Sequence, residues 1–96
     1  MLIETNLGMV TMDKYSITTM LTRKIKLVRI EYGYTQERMA EVLGISKKTL
    51  VQLEKERCVA SWPAVVSLCV LFRDSDIIRH CLGGDPVELV ETIAHQ

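Results

Sequence analysis

The chain has 96 residues, enough for one domain and too few for two. Apolar residues make up 48% of it but aromatic residues only 5%, a profile that suits a small aliphatic helical bundle better than a sandwich or a nucleotide-binding fold. The net charge is zero, yet it is unevenly spread: residues 1–22 carry one Lys against two acids, residues 23–57 nine Lys/Arg against five acids, and residues 58–96 two Arg against five acids.

A basic middle joined to an acidic C-terminal part fits a nucleic-acid face attached to a part that looks elsewhere. No stretch approaches the apolar length of a membrane span, because a charged residue interrupts each candidate, so no membrane partner is expected. The opening MLIETNLG lacks the basic head and long apolar run of a secretory signal, which makes the cytoplasm the expected compartment. Cys58, Cys69 and Cys81 are odd in number and have no CxxC spacing, so neither a disulfide framework nor a zinc site is expected. No other metal site and no cofactor is expected either.

In chain order, residues 1–20 are poor in helix signals: Gly8 interrupts them and Thr and β-branched residues are frequent. They are assigned to an N-terminal arm in which Met9–Met12 could form a short strand, an unstructured arm being the equal alternative. The helical pattern starts at Leu21, with Leu21, Ile25, Val28 and Tyr32 at spacings of three and four, a cap from Thr18, Thr19 or Thr22, and a stop at Gly33. Thr35 caps a second helix from Gln36 to Leu43, ended by Gly44, with Tyr34 and Met39 placed as a hydrophobic staple. The device repeats at once: Ile45 precedes the cap Ser46, and Leu50 lies inside a third helix over 46–56.

Ser61 caps a fourth helix with Pro63 in its first turn, apolar over most of its surface and therefore central. A short fifth helix over 75–82 ends at Gly83-Gly84. Asp85, Pro86 and Glu88 open a sixth, whose Val87, Leu89, Val90, Ile93 and Ala94 give it an apolar face. The expected division is 1–20 as the arm, 21–82 as the main domain, and 83–96 as a C-terminal helix that could serve dimerisation.

Two caps and two staples around Gly44 define a helix, a tight turn and a second helix. Ala40 is small where the helices cross, Gly44 can take the positive φ of a sharp turn, and Met39, Leu43, Ile45, Leu50 and Leu53 point back to lock the angle between them. Such a unit presents the start of the later helix as a rigid probe for a major groove.

Tyr34-Thr35-Gln36, Ala40, Leu43-Gly44-Ile45-Ser46 and Leu53-Glu54 make residues 22–78 resemble the Cro- and phage-repressor-like (XRE-type) helix-turn-helix domain. The resemblance implies an all-α, five-helix DNA-binding core, here flanked by the arm and the extra C-terminal helix. It implies that Gln36 contacts a backbone phosphate, while Lys47, Lys48 and Gln52 face base edges: Lys suits guanine O6/N7 and Gln suits adenine N6/N7. Thr35 sits at the cap beside Gln36 on that face, Ser46 and Thr49 would touch phosphate or a thymine methyl, and Lys55 lies near a family backbone contact. Arg29 and Glu54 match a structural pair joining the first helix of the family to its third.

Lys47 and Lys48 also stand out without the family. Cations in the first turn oppose the helix dipole at about 0.3–1 kcal/mol each, so a broken local rule there points to a site, although two exposed lysines can also be a solvated helix end. A basic surface explains Arg23, Lys24 and Lys26 almost as well as phosphate contact does. Trp62 reads as a packing residue, and His80 and His95 as ordinary. Glu54-Lys55-Glu56-Arg57 departs from the usual acid followed by Gly, which predicts a longer third helix.

The expected function is a sequence-specific DNA-binding transcriptional regulator, a homodimer on a two-fold-related operator in double-stranded DNA. The alternative is an antitoxin of a toxin–antitoxin pair, with its terminal segments on a partner protein; a protein-interaction module without DNA binding is a third. An enzyme is not expected, since no His-carboxylate, Cys-His or Ser-base constellation and no Gly-rich phosphate loop is present. A mean hydropathy of +0.15 is high for so small a monomer; the apolar face of the last helix, with Ile78 and Leu82, is the candidate dimer surface, the alternatives being that this helix packs back on its own domain or that a strand of the arm pairs with its mate.

Overall fold

Capping and burial together fix where the helices lie. The computed structural model describes residues 2–5 and 8–96, and in these the chain forms a short hairpin followed by seven helices. Leu2–Thr5 (β1) and Gly8–Thr11 (β2) pair antiparallel with Leu2 opposite Thr11. The helices are Lys14–Thr22 (α1), Ile25–Glu31 (α2), Gln36–Leu43 (α3), Lys47–Glu54 (α4), Trp62–Leu71 (α5), Asp76–Leu82 (α6) and Pro86–Ala94 (α7). None of the described helices is long and apolar enough to cross a membrane.

The N-terminal expectation needs correction. The strand covers 8–11 rather than 9–12, and Met12 is a buried core residue. Residues 14–20, assigned to the arm, are helix; residues 1, 6 and 7 of that arm lie outside the described residues. The helix expected over 21–32 is two helices, α1 and α2, separated by a turn in which Lys24 N–H donates to the Leu21 carbonyl at 2.9 Å. Asp13 caps α1, accepting from Ser16 N–H at 2.8 Å.

Thr18 and Thr22, offered above as caps, lie inside α1 instead, where their hydroxyls donate back to carbonyls one turn earlier, Lys14 and Thr18, at 2.8 and 2.6 Å. Burial of Ile17 and Leu21 on the same face then outweighs the unfavourable propensity. The Thr22 hydroxyl oxygen also accepts from Ala60 N–H at 3.0 Å, which ties α1 to the loop after α4.

One core joins all the helices. Ile17 and Leu21 of α1 meet Val28 of α2, Met39 of α3, Leu50 and Leu53 of α4, Val65, Leu68 and Cys69 of α5, and Ile78 of α6. Phe72 lies beyond α5 with Tyr32 and Tyr34 set edge-on to it, at centroid distances of 4.7 and 6.2 Å. Burial pushes the Cys69 thiol up to about 12. Trp62 is half-buried, with Lys14 Nζ 5.2 Å from its ring centroid.

The last helix belongs to this core as well. Leu89, Val90 and Ile93 of α7 are buried, and α7 packs on α5 and α6. Ile78 and Leu82 are buried with them. The apolar face expected to meet a second copy is therefore used within the protomer, because α5 is apolar on nearly every side and needs cover from α7.

Candidate nucleic-acid interface

Two short helices and the turn between them build the site. Thr35 Oγ1 accepts from Arg38 N–H at 3.1 Å and opens α3. Gly44 closes α3 at φ +73°, and the Ile45 amide donates back to the Ala40 carbonyl at 3.0 Å. That reversal needs the left-handed conformation, which glycine enters without steric penalty. Ser46 Oγ then accepts from Thr49 N–H at 3.0 Å and opens α4. Beneath them Met39, Ala40, Leu43, Leu50 and Leu53 are buried, so neither helix can rotate without exposing apolar surface.

On this frame Ser46, Lys47, Lys48 and Thr49 are all exposed in the first turn of α4. Lys48, Gln52 and Lys55 follow at spacings of four and three, which is one stripe along the helix. Lys55 does not join the cluster at the start: the eight residues of α4 put it about 12 Å away, at the C-terminal end where a cation suits the dipole. Gln52 is half-buried between them.

The start of α3 crosses this helix. Gln36 Nε2 donates to Glu54 Oε1 at 3.2 Å near the end of α4, while Glu37 Oε1 lies 2.5 Å from Lys47 Nζ at its beginning. Neighbouring residues of α3 thus reach opposite ends of α4. The hydrogen bond from Lys47 is the main reason that the Glu37 carboxyl is held below the ordinary carboxylate range. Lys47 has, in Glu37, a local partner that offsets its unfavourable position at the helix start, which the sequence did not reveal. Lys48 has no acidic partner among the described residues.

Arg29 and Glu54 meet as a two-pronged ion pair. Arg29 Nε and Nη2 donate to Glu54 Oε2 and Oε1 at 2.7 and 3.1 Å, and Nη1 donates to the Tyr34 carbonyl at 3.0 Å. The Glu54 side chain is 4% exposed and that of Arg29 16%. This pair fastens α2 to the end of α4 and, through Tyr34, to the loop that opens α3. It stands behind the exposed cationic face rather than on it.

The third helix does not run on to 56. It ends at Glu54 because Glu56 takes φ +56° and the next amide, Arg57 N–H, donates back to the Gln52 carbonyl at 3.0 Å. Glu56 thus adopts the reversal that glycine makes easily, at the cost of a side chain in the left-handed region. Arg57, Cys58 and Val59 follow as an exposed loop. Sequence reasoning missed Glu37, because an acid at the second position of a helix is an ordinary complement to the dipole and nothing local ties it to Lys47.

A buried framework that fixes two helices around a glycine turn, with the later one presenting exposed cations, defines a helix-turn-helix protein. A model of the helix-turn-helix family matches residues 25–59, from the start of α2 to the loop after α4. The uncharacterized HTH-type transcriptional regulator YgzD of Bacillus subtilis (strain 168) is 31% identical over 52 residues, which cover 54% of this chain and 79% of that protein. No solved structure gives a significant match. The chain belongs to the Cro- and phage-repressor-like (XRE-type) helix-turn-helix family.

Proposed function

We propose that this protein is a transcriptional regulator that binds double-stranded DNA as a homodimer, with α4 in the major groove of each half of a two-fold-related operator. The observation that carries this reading is the exposed, cationic first turn of α4, held on a helix pair that buried residues prevent from turning. A groove lined by phosphates and base acceptors reverses the sign of the cost that Lys48, which has no acidic partner among the described residues, imposes on the free helix.

In this reading Lys47, Lys48 and Gln52 reach base edges, and Ser46 and Thr49 touch phosphate or a thymine methyl. Thr35 and Gln36 at the start of α3 meet the backbone and fix register, and Lys55 adds a phosphate contact further along the groove. Residues 21–82 carry DNA binding, with α1 joined to them through Thr22. Since the apolar face of α7 is covered by α5, the two copies meet elsewhere. The protein acts in the cytoplasm and catalyses no reaction.

Selection of bound fragments from a random duplex pool, followed by affinity against salt, tests the reading. It expects a two-fold motif with half-sites about 34 Å apart and a steep loss of affinity with salt. Lys47→Ala or Gln52→Ala should cost about 1–3 kcal/mol on the selected site and relax base preference at one position, while Gln36→Ala should weaken all sequences alike. Failure to enrich any sequence would overturn operator recognition. Capture of a toxin-like partner by the terminal segments would favour the antitoxin alternative.

A further inference from the structure

Lys47 is assigned to a base edge in the reading above, yet its ammonium lies against a carboxylate: Glu37 Oε1 is 2.5 Å from Nζ, and both side chains are more than half exposed. Glu37 sits in the first turn of α3 and Lys47 in the first turn of α4, so an acid stands on the edge of the surface assigned to DNA. An exposed pair of this kind contributes little to stability. Its consequence lies in what each charge does when a duplex approaches.

An unrestrained lysine beside DNA has a sequence-independent option, since its compact ammonium can settle on the nearest phosphate oxygen. Glu37 closes that option in two ways. It accepts one of the three ammonium N–H donors, which leaves two directed away from the carboxylate. Its own negative charge repels phosphate near Lys47. The repulsion weakens binding to every sequence, and the loss is offset only where base acceptors meet the two remaining donors, as guanine O6 and N7 can. Lys48, without an acidic partner among the described residues, is left to serve general attraction.

We propose that Glu37 is a specificity-determining residue, which restrains the Lys47 ammonium from the phosphate backbone and aims it at guanine in the major groove. This rests on the DNA-binding reading and adds a residue that reads no base itself. Repulsion against wrong sequences is a recognised route to discrimination, which depends on the difference between two affinities.

The experiment uses the full chain and its variants Glu37→Gln, Lys47→Ala and the double substitution. Each is titrated with the duplex recovered by selection, with that duplex altered one base pair at a time, and with a random duplex. Glu37→Gln should bind the random duplex several-fold more tightly, with a steeper salt dependence. It should also lose about five-fold or more of the preference at one G·C pair per half-site, within the range that single mismatches span. Lys47→Ala should erase the same preference, and adding Glu37→Gln to it should change that preference no further.

If Glu37→Gln instead shifts every duplex by one common factor, Glu37 is only a surface charge and the inference fails while DNA binding stands. If the unaltered protein binds no duplex, both the inference and the reading beneath it are overturned.

Discussion

Removing one member of the Arg29–Glu54 pair should harm the fold far more than removing both. Glu54→Ala deletes the carboxylate that accepts from Arg29 Nε and Nη2 and from Gln36 Nε2. The guanidinium is then left 16% exposed with only the Tyr34 carbonyl to receive a hydrogen bond. Stranding one half of a buried pair costs about 3–5 kcal/mol, a large share of the ~5–15 kcal/mol that holds a domain together. Arg29→Met combined with Glu54→Leu removes both charges and fills similar volume. What remains is the Tyr34 carbonyl without a partner, about 1–3 kcal/mol for a buried group, while the half-buried Gln36 amide is left to solvent. Urea unfolding followed by circular dichroism measures the unaltered protein, Arg29→Met, Glu54→Leu (which strands the guanidinium as Glu54→Ala does) and the double variant. The double variant should fall at least ~3 kcal/mol short of the sum of the single ones. Single variants that each lose less than about 1 kcal/mol, as exposed pairs do, would refute the reasoning.

Glu56→Gly should raise stability by about 1 kcal/mol, because φ +56° no longer opposes a side chain; the lost contact with Arg23 at 3.6 Å is exposed and contributes little. A thermal melt should move up by roughly 4–8 °C, and a fall would show that the left-handed turn is not strained. Ile93→Ala, at a position 2% exposed, should destabilise by about 2–5 kcal/mol at any protein concentration. A loss seen only at low concentration would mean that α7 faces a second copy after all. In native protein at pH 8, maleimide should label Cys58 first, Cys81 slowly and Cys69 only on unfolding, since burial raises the latter two thiols and only Cys58 is exposed. Rapid labelling of Cys69 by mass spectrometry would contradict the packing of α5.

Much of the site was legible because its signals are local. Thr35, Ser46 and Gly44 each act within four residues of themselves, through a cap or a reversal that any short stretch of chain can specify. The staples beside them depend on the same spacing. For that reason α3, the turn and the start of α4 lie where spacing predicts them, and Ser61, Ser75 and Asp85 open the later helices as predicted. The end of α4 was misread because Glu56 fills a position where the local rule expects glycine. Nothing local indicates that a glutamate accepts a positive φ.

By itself the sequence determined the helical class, the helix-turn-helix and the exposed lysines of α4, since these follow from caps, glycines and three-to-four periodicity. Tertiary structure alone decided that residues 14–20, Thr18 among them, lie in a helix, that α7 covers α5, and that Glu37 holds Lys47. Each depends on groups remote in the chain: burial of Ile17 and Leu21 outweighs the reluctance of threonine to be helical, and an apolar face cannot announce whether its cover is its own chain or another. Ten residues separate Glu37 from Lys47, and only the angle at which α3 crosses α4 brings their charges together.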